Sequence, residues 1–164
     1  MHTPIPITLS NVEMLNAATV GVTRRLAAVK RQRQHTNGAP TIDMWGMDIE
    51  GAGAELVVAK WLGRYWNALA NDPNTLEGDV GRYQVRHTKR TDGSLILHDK
   101  DNSDALFVLV VGQYPTYEIR GWISGKDGKQ SQHWRAGERP AYFVPQSVLL
   151  DPTELEMSVK CREL

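Results

Sequence analysis

Cysteine is almost missing from this chain. Cys161 is the only one in 164 residues, so an intrachain disulfide framework and a cysteine-rich zinc site are both excluded. Long apolar runs are missing too. The longest, Ala105 to Val111, is far short of the ~20 residues that cross a bilayer. The opening Met1-His-Thr-Pro-Ile-Pro6 has no basic segment leading into an apolar one, so a secretory leader is not expected. Net charge is absent: 19 basic side chains meet 19 acidic ones. A chain that binds polyanions or polycations through its overall charge is thereby excluded. No internal repeat or low-complexity segment occurs. What remains is ordinary globular composition, with 41% hydrophobic and 23% charged residues. A chain of this length buries roughly 70% of its extended surface without staples. The expectation is one soluble cytoplasmic domain over 1–164.

The zero net charge hides an asymmetry. Residues 1–44 carry five basic groups, Arg24, Arg25, Lys30, Arg31 and Arg33, against Glu13 and Asp43. A second basic cluster, Arg82, Arg86, Lys89 and Arg90, lies in a stretch, 80–91, that has no acid. Each cluster is either a solvated face or a surface for phosphates.

Order along the chain reads as two helices followed by strands, an α+β arrangement. Ser10 with Glu13 three residues on forms a capping box, which starts a basic amphipathic helix over about 10–36. Val12, Leu15, Thr19, Val22, Leu26 and Val29 predict its buried stripe, and the cluster Thr36-Asn-Gly-Ala-Pro40 ends it as a loop. A second helix is expected from about Asp48 to Leu69, buried through Ile49, Ala52, Leu56, Ala59 and Leu62 and stopped by Asn71-Asp-Pro-Asn74. Strands are expected at Tyr83–Thr88, Ser94–His98, Leu106–Val111, Tyr117–Ile123 and Ala141–Val144. Asp92-Gly93 predicts a hairpin between the first two. Leu106–Val111 is apolar at every position and reads as the central strand. A short helical turn and a polar tail, 151–164, follow Pro145.

Several motifs fail. Gly51-Ala-Gly53 lacks the third glycine of a dinucleotide fingerprint. Asp99-Lys-Asp101-Asn-Ser103-Asp104 begins like a calcium loop but lacks the central glycine and has Val110 where the closing acid belongs, so it reads as a hairpin loop. An acid-led set remains. Glu55 stands in the apolar segment Ala54-Glu-Leu-Val-Val-Ala59, where a carboxylate is costly unless paired or bound to a cation. Asp79 lies in Gly78-Asp-Val-Gly81, directly before a strand. On that strand Gln84 and Arg86 are two apart and share a face. Converging at a sheet edge, these groups would suit a hard cation such as Mg²⁺ beside a phosphate. Each also has a plainer reading: Glu55 paired with Lys60 or Arg24, Asp79 as a turn residue, Gln84 and Arg86 as a solvated strand face.

Read together, Glu55 and Asp79-Val-Gly-Arg-Tyr-Gln84-Val-Arg86 resemble the PD-(D/E)XK nuclease superfamily. Longer strings resemble a group of small phage and bacterial proteins with that core: Ala54-Glu-Leu-Val-Val-Ala-Lys60, Gly78-Asp-Val-Gly81, Gly121-Trp-Ile123 and Ala141-Tyr-Phe-Val-Pro-Gln146. The resemblance spans about residues 45–150. It implies a restriction-endonuclease-like core, with N-terminal helices packed on a mixed central β-sheet. It also implies a Mg²⁺- or Mn²⁺-dependent nuclease that hydrolyses DNA phosphodiester bonds. Asp79, Glu55 and Gln84 would be the metal ligands and Arg86 would occupy the lysine position. Lys30, Arg31, Arg33, Lys89 and Arg90, with Arg24 and Arg25, would contact the nucleic-acid backbone. The chain departs from the pattern at two places. Gln84 carries no charge, and Arg86 cannot act as a base at neutral pH. A degenerate relative that binds nucleic acid or a host protein without cutting is therefore the alternative. A homodimer fits either reading.

Overall fold

The capping box forms as expected. In the computed structural model, which describes residues 2–30, 43–68 and 78–155, the Ser10 N–H donates to Glu13 Oε2 at 2.7 Å and the Glu13 N–H donates to Ser10 Oγ at 3.2 Å. Two orphan donors are satisfied at once, and α1 runs Asn11–Lys30. Its expected buried stripe is the wrong face. Val12, Leu15 and Val29 are 68%, 66% and 59% exposed. The buried positions are Ala17, Gly21 and Arg25, spaced by four. They pack on α2, Met44–Leu62. A Cβ on Gly21 would stand 2.6 Å from the Ile49 Cα, so the two backbones meet there. Ala17 and Gly21 set the close approach, and Arg25 reaches across it to Asp48.

α2 is capped by the Asp43 carboxylate, which accepts the Gly46 N–H. It ends at Gly63 (φ 62°), where the N–H groups of Gly63 and Arg64 return to the Lys60 and Ala59 carbonyls. A left-handed glycine stops a helix in this way. The expected continuation to Leu69 is therefore wrong. Buried residues cluster at Ala52, Gly53, Ala54, Glu55, Val57, Val58 and Ala59, which is broader than a single stripe because α1 and the sheet cover different sides.

Among the described residues the strands are β1 Ile5–Thr8, β2 Tyr83–Thr88, β3 Leu95–Leu97, β4 Leu106–Gln113, β5 Thr116–Ser124, β6 Trp134–Arg135 and β7 Ala141–Val144. A single helical turn, α3 Gly125–Gly128, follows β5. The first sheet has the order β1-β5-β4-β2 and the second β3-β7-β6. β2 runs parallel to β4 while β1 and β4 run antiparallel to β5, so the first sheet is mixed. The expected hairpin between β2 and β3 does not exist. The turn forms, with the Gly93 N–H on the Arg90 carbonyl at 2.9 Å, but it carries the chain out of one sheet and into the other.

β4 is apolar on both faces because both are covered. Val108 and Val110 pack with Val57, Val58, Tyr117 and Ile119 on the α2 side. Phe107 and Leu109 pack with Leu95, Leu97 and Val144 on the side of the second sheet. The result is an α+β fold in layers, helix on sheet on sheet. Among the described residues no helix is long and apolar enough to cross a membrane.

Candidate functional site

Glu55 is held on α2 in the inner layer and is buried. A carboxylate there needs partners, and it has three contacts. Arg24 of α1 forks onto it, Nη1 to Oε1 at 2.6 Å and Nη2 to Oε2 at 2.8 Å. The Trp66 indole N–H adds 3.0 Å to Oε2. Of the two partners the sequence suggests, Arg24 is the right one. Lys60 instead pairs with Glu13 at 2.9 Å. Burial still pushes the Glu55 carboxyl above the usual range, and the negative charge of Asp79 pushes the same way. Arg24 and Trp66 oppose this by stabilising the charged form.

Asp79 sits in the turn before β2, the open edge of the first sheet. Its Oδ2 accepts the Val85 N–H at 2.8 Å. Burial raises this carboxyl as well, against the Val85 bond and the charges of Arg86 and Arg24. The charge of Asp79 thus reaches Glu55 and disfavours its ionised form. Among the described residues Asp79 makes no side-chain bond to its own turn; it bonds the edge of β2 six residues on.

Gln84 and Arg86 share a face of β2, opposite β4 residues Phe107 and Leu109 in register. That face looks toward the second sheet, whereas α2 and Glu55 lie on the other side. Asp79, at the edge, is the link between them. Arg86 is tied up: its Nη2 donates to Asp101 at 3.0 Å, its Nε to the Ile96 carbonyl at 3.2 Å, and its guanidinium lies 4.9 Å from the Phe107 ring centroid. Asp101, which also accepts the His98 N–H at 2.8 Å, belongs to the loop that the sequence makes look like a failed calcium site. Nothing in its spacing pointed to Arg86.

The expected phosphate-contacting face of α1 needs correction. Arg25 is 3% exposed and bonded to Asp48 at 2.6 Å, so it helps close the helix pair. Arg24 is committed to Glu55. Lys30 is exposed at the end of α1, while Arg31 and Arg33 lie outside the described residues. Lys89 and Arg90 are exposed beyond β2, the first 3.9 Å from Asp43 and the second 3.3 Å from Asp92. Surface pairs of that kind hold little energy, so both cations stay available to a ligand.

Chemically, the site offers a buried carboxylate, Glu55, and a half-buried one, Asp79, on separate elements, an amide, and two guanidiniums that balance the acids. Among the described residues no group of three or more His, Cys, Asp or Glu is placed to hold a metal ion. Comparison with protein-family models, with curated proteins and with solved structures returned no match.

Proposed function

We propose that the chain is a metal-dependent nuclease that hydrolyses DNA phosphodiester bonds on a restriction-endonuclease-like core of the PD-(D/E)XK kind. The observation that supports this is the Glu55–Asp79 pair. A carboxylate on a helix and another on a strand-leading turn, each pushed toward protonation, are the kind of perturbed acids that cluster at functional sites. The donor chemistry fits a hard divalent ion, because carboxylates that burial pushes toward protonation gain most from an added positive charge. Asp79 and Glu55 would hold it; Gln84, on the opposite face of β2 from Glu55, does not join them as the sequence pattern implies. Bound there, Mg²⁺ or Mn²⁺ supplies an activated water and neutralises phosphate charge. The Val85 N–H aims Asp79. Arg24 takes both Glu55 oxygens and must yield one, directly or across a water. Lys89 and Arg90 position the backbone without reading sequence.

The test is cleavage of plasmid and oligonucleotide DNA with Mg²⁺ or Mn²⁺. The expected result is metal-dependent cutting that falls at least about a hundredfold in Asp79→Asn. Equal cutting by that variant, or none by either protein, removes the reading.

A second reading has its own support. Glu55 is saturated by Arg24, and Arg86 by Asp101. Sites neutralised from within suit a protein that binds nucleic acid without cutting it. This reading predicts salt-dependent binding and no metal-dependent product.

A further inference from the structure

A cleft of about 420 Å³ opens between the end of β2, the 90–94 turn and the outer face of the second sheet. Its lining is mixed. Arg86, Arg90 and Arg135 face it against one acid, Asp92, and Ile96, Leu109 and Phe143 supply an apolar floor. Arg135 on β6 is exposed and rests 5.0 Å from the Phe143 ring centroid. Among the described residues it makes no ion pair. A guanidinium braced on a phenyl ring keeps its outer face and its N–H groups for something else.

The cleft is built, not incidental. Gln146 donates through Nε2 to the carbonyls of Thr91 and Gly93, both at 2.9 Å, and so pins the turn. The Arg90 N–H rests on Thr88 Oγ1 at 3.2 Å. A Cβ on Gly93 would come within 2.6 Å of the Thr88 side chain, so only glycine lets the turn close this tightly. Phe143 and Gln146 belong to the string Tyr142-Phe-Val-Pro-Gln146 that the sequence singles out and the carboxylate site does not use.

We propose that this cleft binds one phosphate-bearing nucleotide unit. Arg90 and Arg135 would take the phosphate, and the base would stack on the braced Arg135 plane above Phe143 and Ile96. A bare anion would leave the apolar floor unused, and a nucleoside would leave the cations unused. The volume lies in the ~300–1,000 Å³ range of small-ligand sites and is too small for a duplex. Stacking of bases on aromatic rings and arginine planes is the usual means of holding unpaired nucleotides. The unit has two sources, a free nucleotide or the phosphorylated end of a single strand. The proposal does not depend on cleavage and holds equally for Asp79→Asn protein.

The experiment is a calorimetric titration of the full chain. The probes are deoxyadenosine monophosphate, deoxyadenosine, inorganic phosphate, and a short single strand with and without a 5′-phosphate. The expected result is saturable binding of the monophosphate, weaker or absent binding of the two halves, and a loss of about tenfold or more in Arg135→Ala. Arg135→Lys should recover only part, because it restores charge without the plane. Both variants sit on an exposed side chain, and an unchanged melting temperature confirms their fold. A 5′-phosphorylated strand that binds tighter than the free nucleotide assigns the cleft to strand ends; equal affinity assigns it to free nucleotides. No saturation by any phosphate-bearing probe up to about 10 mM, or equal affinity in Arg135→Ala, overturns the proposal.

Discussion

Arg24 and Glu55 are both largely buried, with side chains 14% and 8% exposed. Breaking such a pair from one side strands the other charge, so Glu55→Ala should cost ~3–5 kcal/mol in chemical denaturation. Asp79 behaves differently. Its carboxyl is raised above the ordinary 3.8, so the native state holds that proton more tightly than the unfolded chain does. Stability from this residue is then greatest below pH 3.8 and falls as pH rises through the native value. Asp79→Asn keeps an acceptor for the Val85 N–H and removes the penalty. The gap in melting temperature between Asp79→Asn and the parent should therefore widen from about pH 4 upward and then level off; a constant gap would contradict the assignment. At this scale the sequence was informative about Glu55, because an acid inside an apolar helix must find a cation. It was silent about Asp101 and Trp66. Their partnership with Arg86 and Glu55 depends on how a loop and a helix exit fold back, which no local spacing encodes.

At the scale of elements, α1 turns a small-residue face to α2 and leaves its larger apolar residues outward. Gly21→Leu should therefore destabilise by ~1–3 kcal/mol or more, since its new atoms would collide with the Ile49 backbone. Leu15→Lys, on a residue 66% exposed, should stay within about 0.5 kcal/mol. Thermal unfolding of the two variants checks both. Helix existence and the α1 start were legible from the capping box. The buried face was not, because periodicity locates apolar residues but cannot say that a glycine permits a closer approach than they do. The strands were legible from their β-branched runs, and β2 and β7 match the expected bounds. The short strands β1 and β6 escaped, the first because Pro4 and Pro6 mask it and the second because two residues carry no period. Pairing was the larger loss. Nearness along the chain suggested that β2 and β3 pair, whereas β2 lies parallel to β4.

For the molecule as a whole, the layering leaves β2 as an edge of the first sheet, with β1 at the other. Edges invite pairing with a second chain. Along the first half of β2, at Tyr83 and Val85, the outward groups are already taken. The Tyr83 N–H and carbonyl close a bridge with Val80. The Val85 N–H goes to Asp79 and its carbonyl to Arg86 Nη1 at 3.3 Å. Asp79, which the nuclease reading puts to work, and Arg86 therefore also guard this stretch against strand addition. Truncating Asp79 to alanine would open a docking rail for neighbouring molecules, and lost turnover in that protein would mix chemistry with self-association. The amide variant keeps the rail shut, so it is the comparison by which the acid itself can be judged.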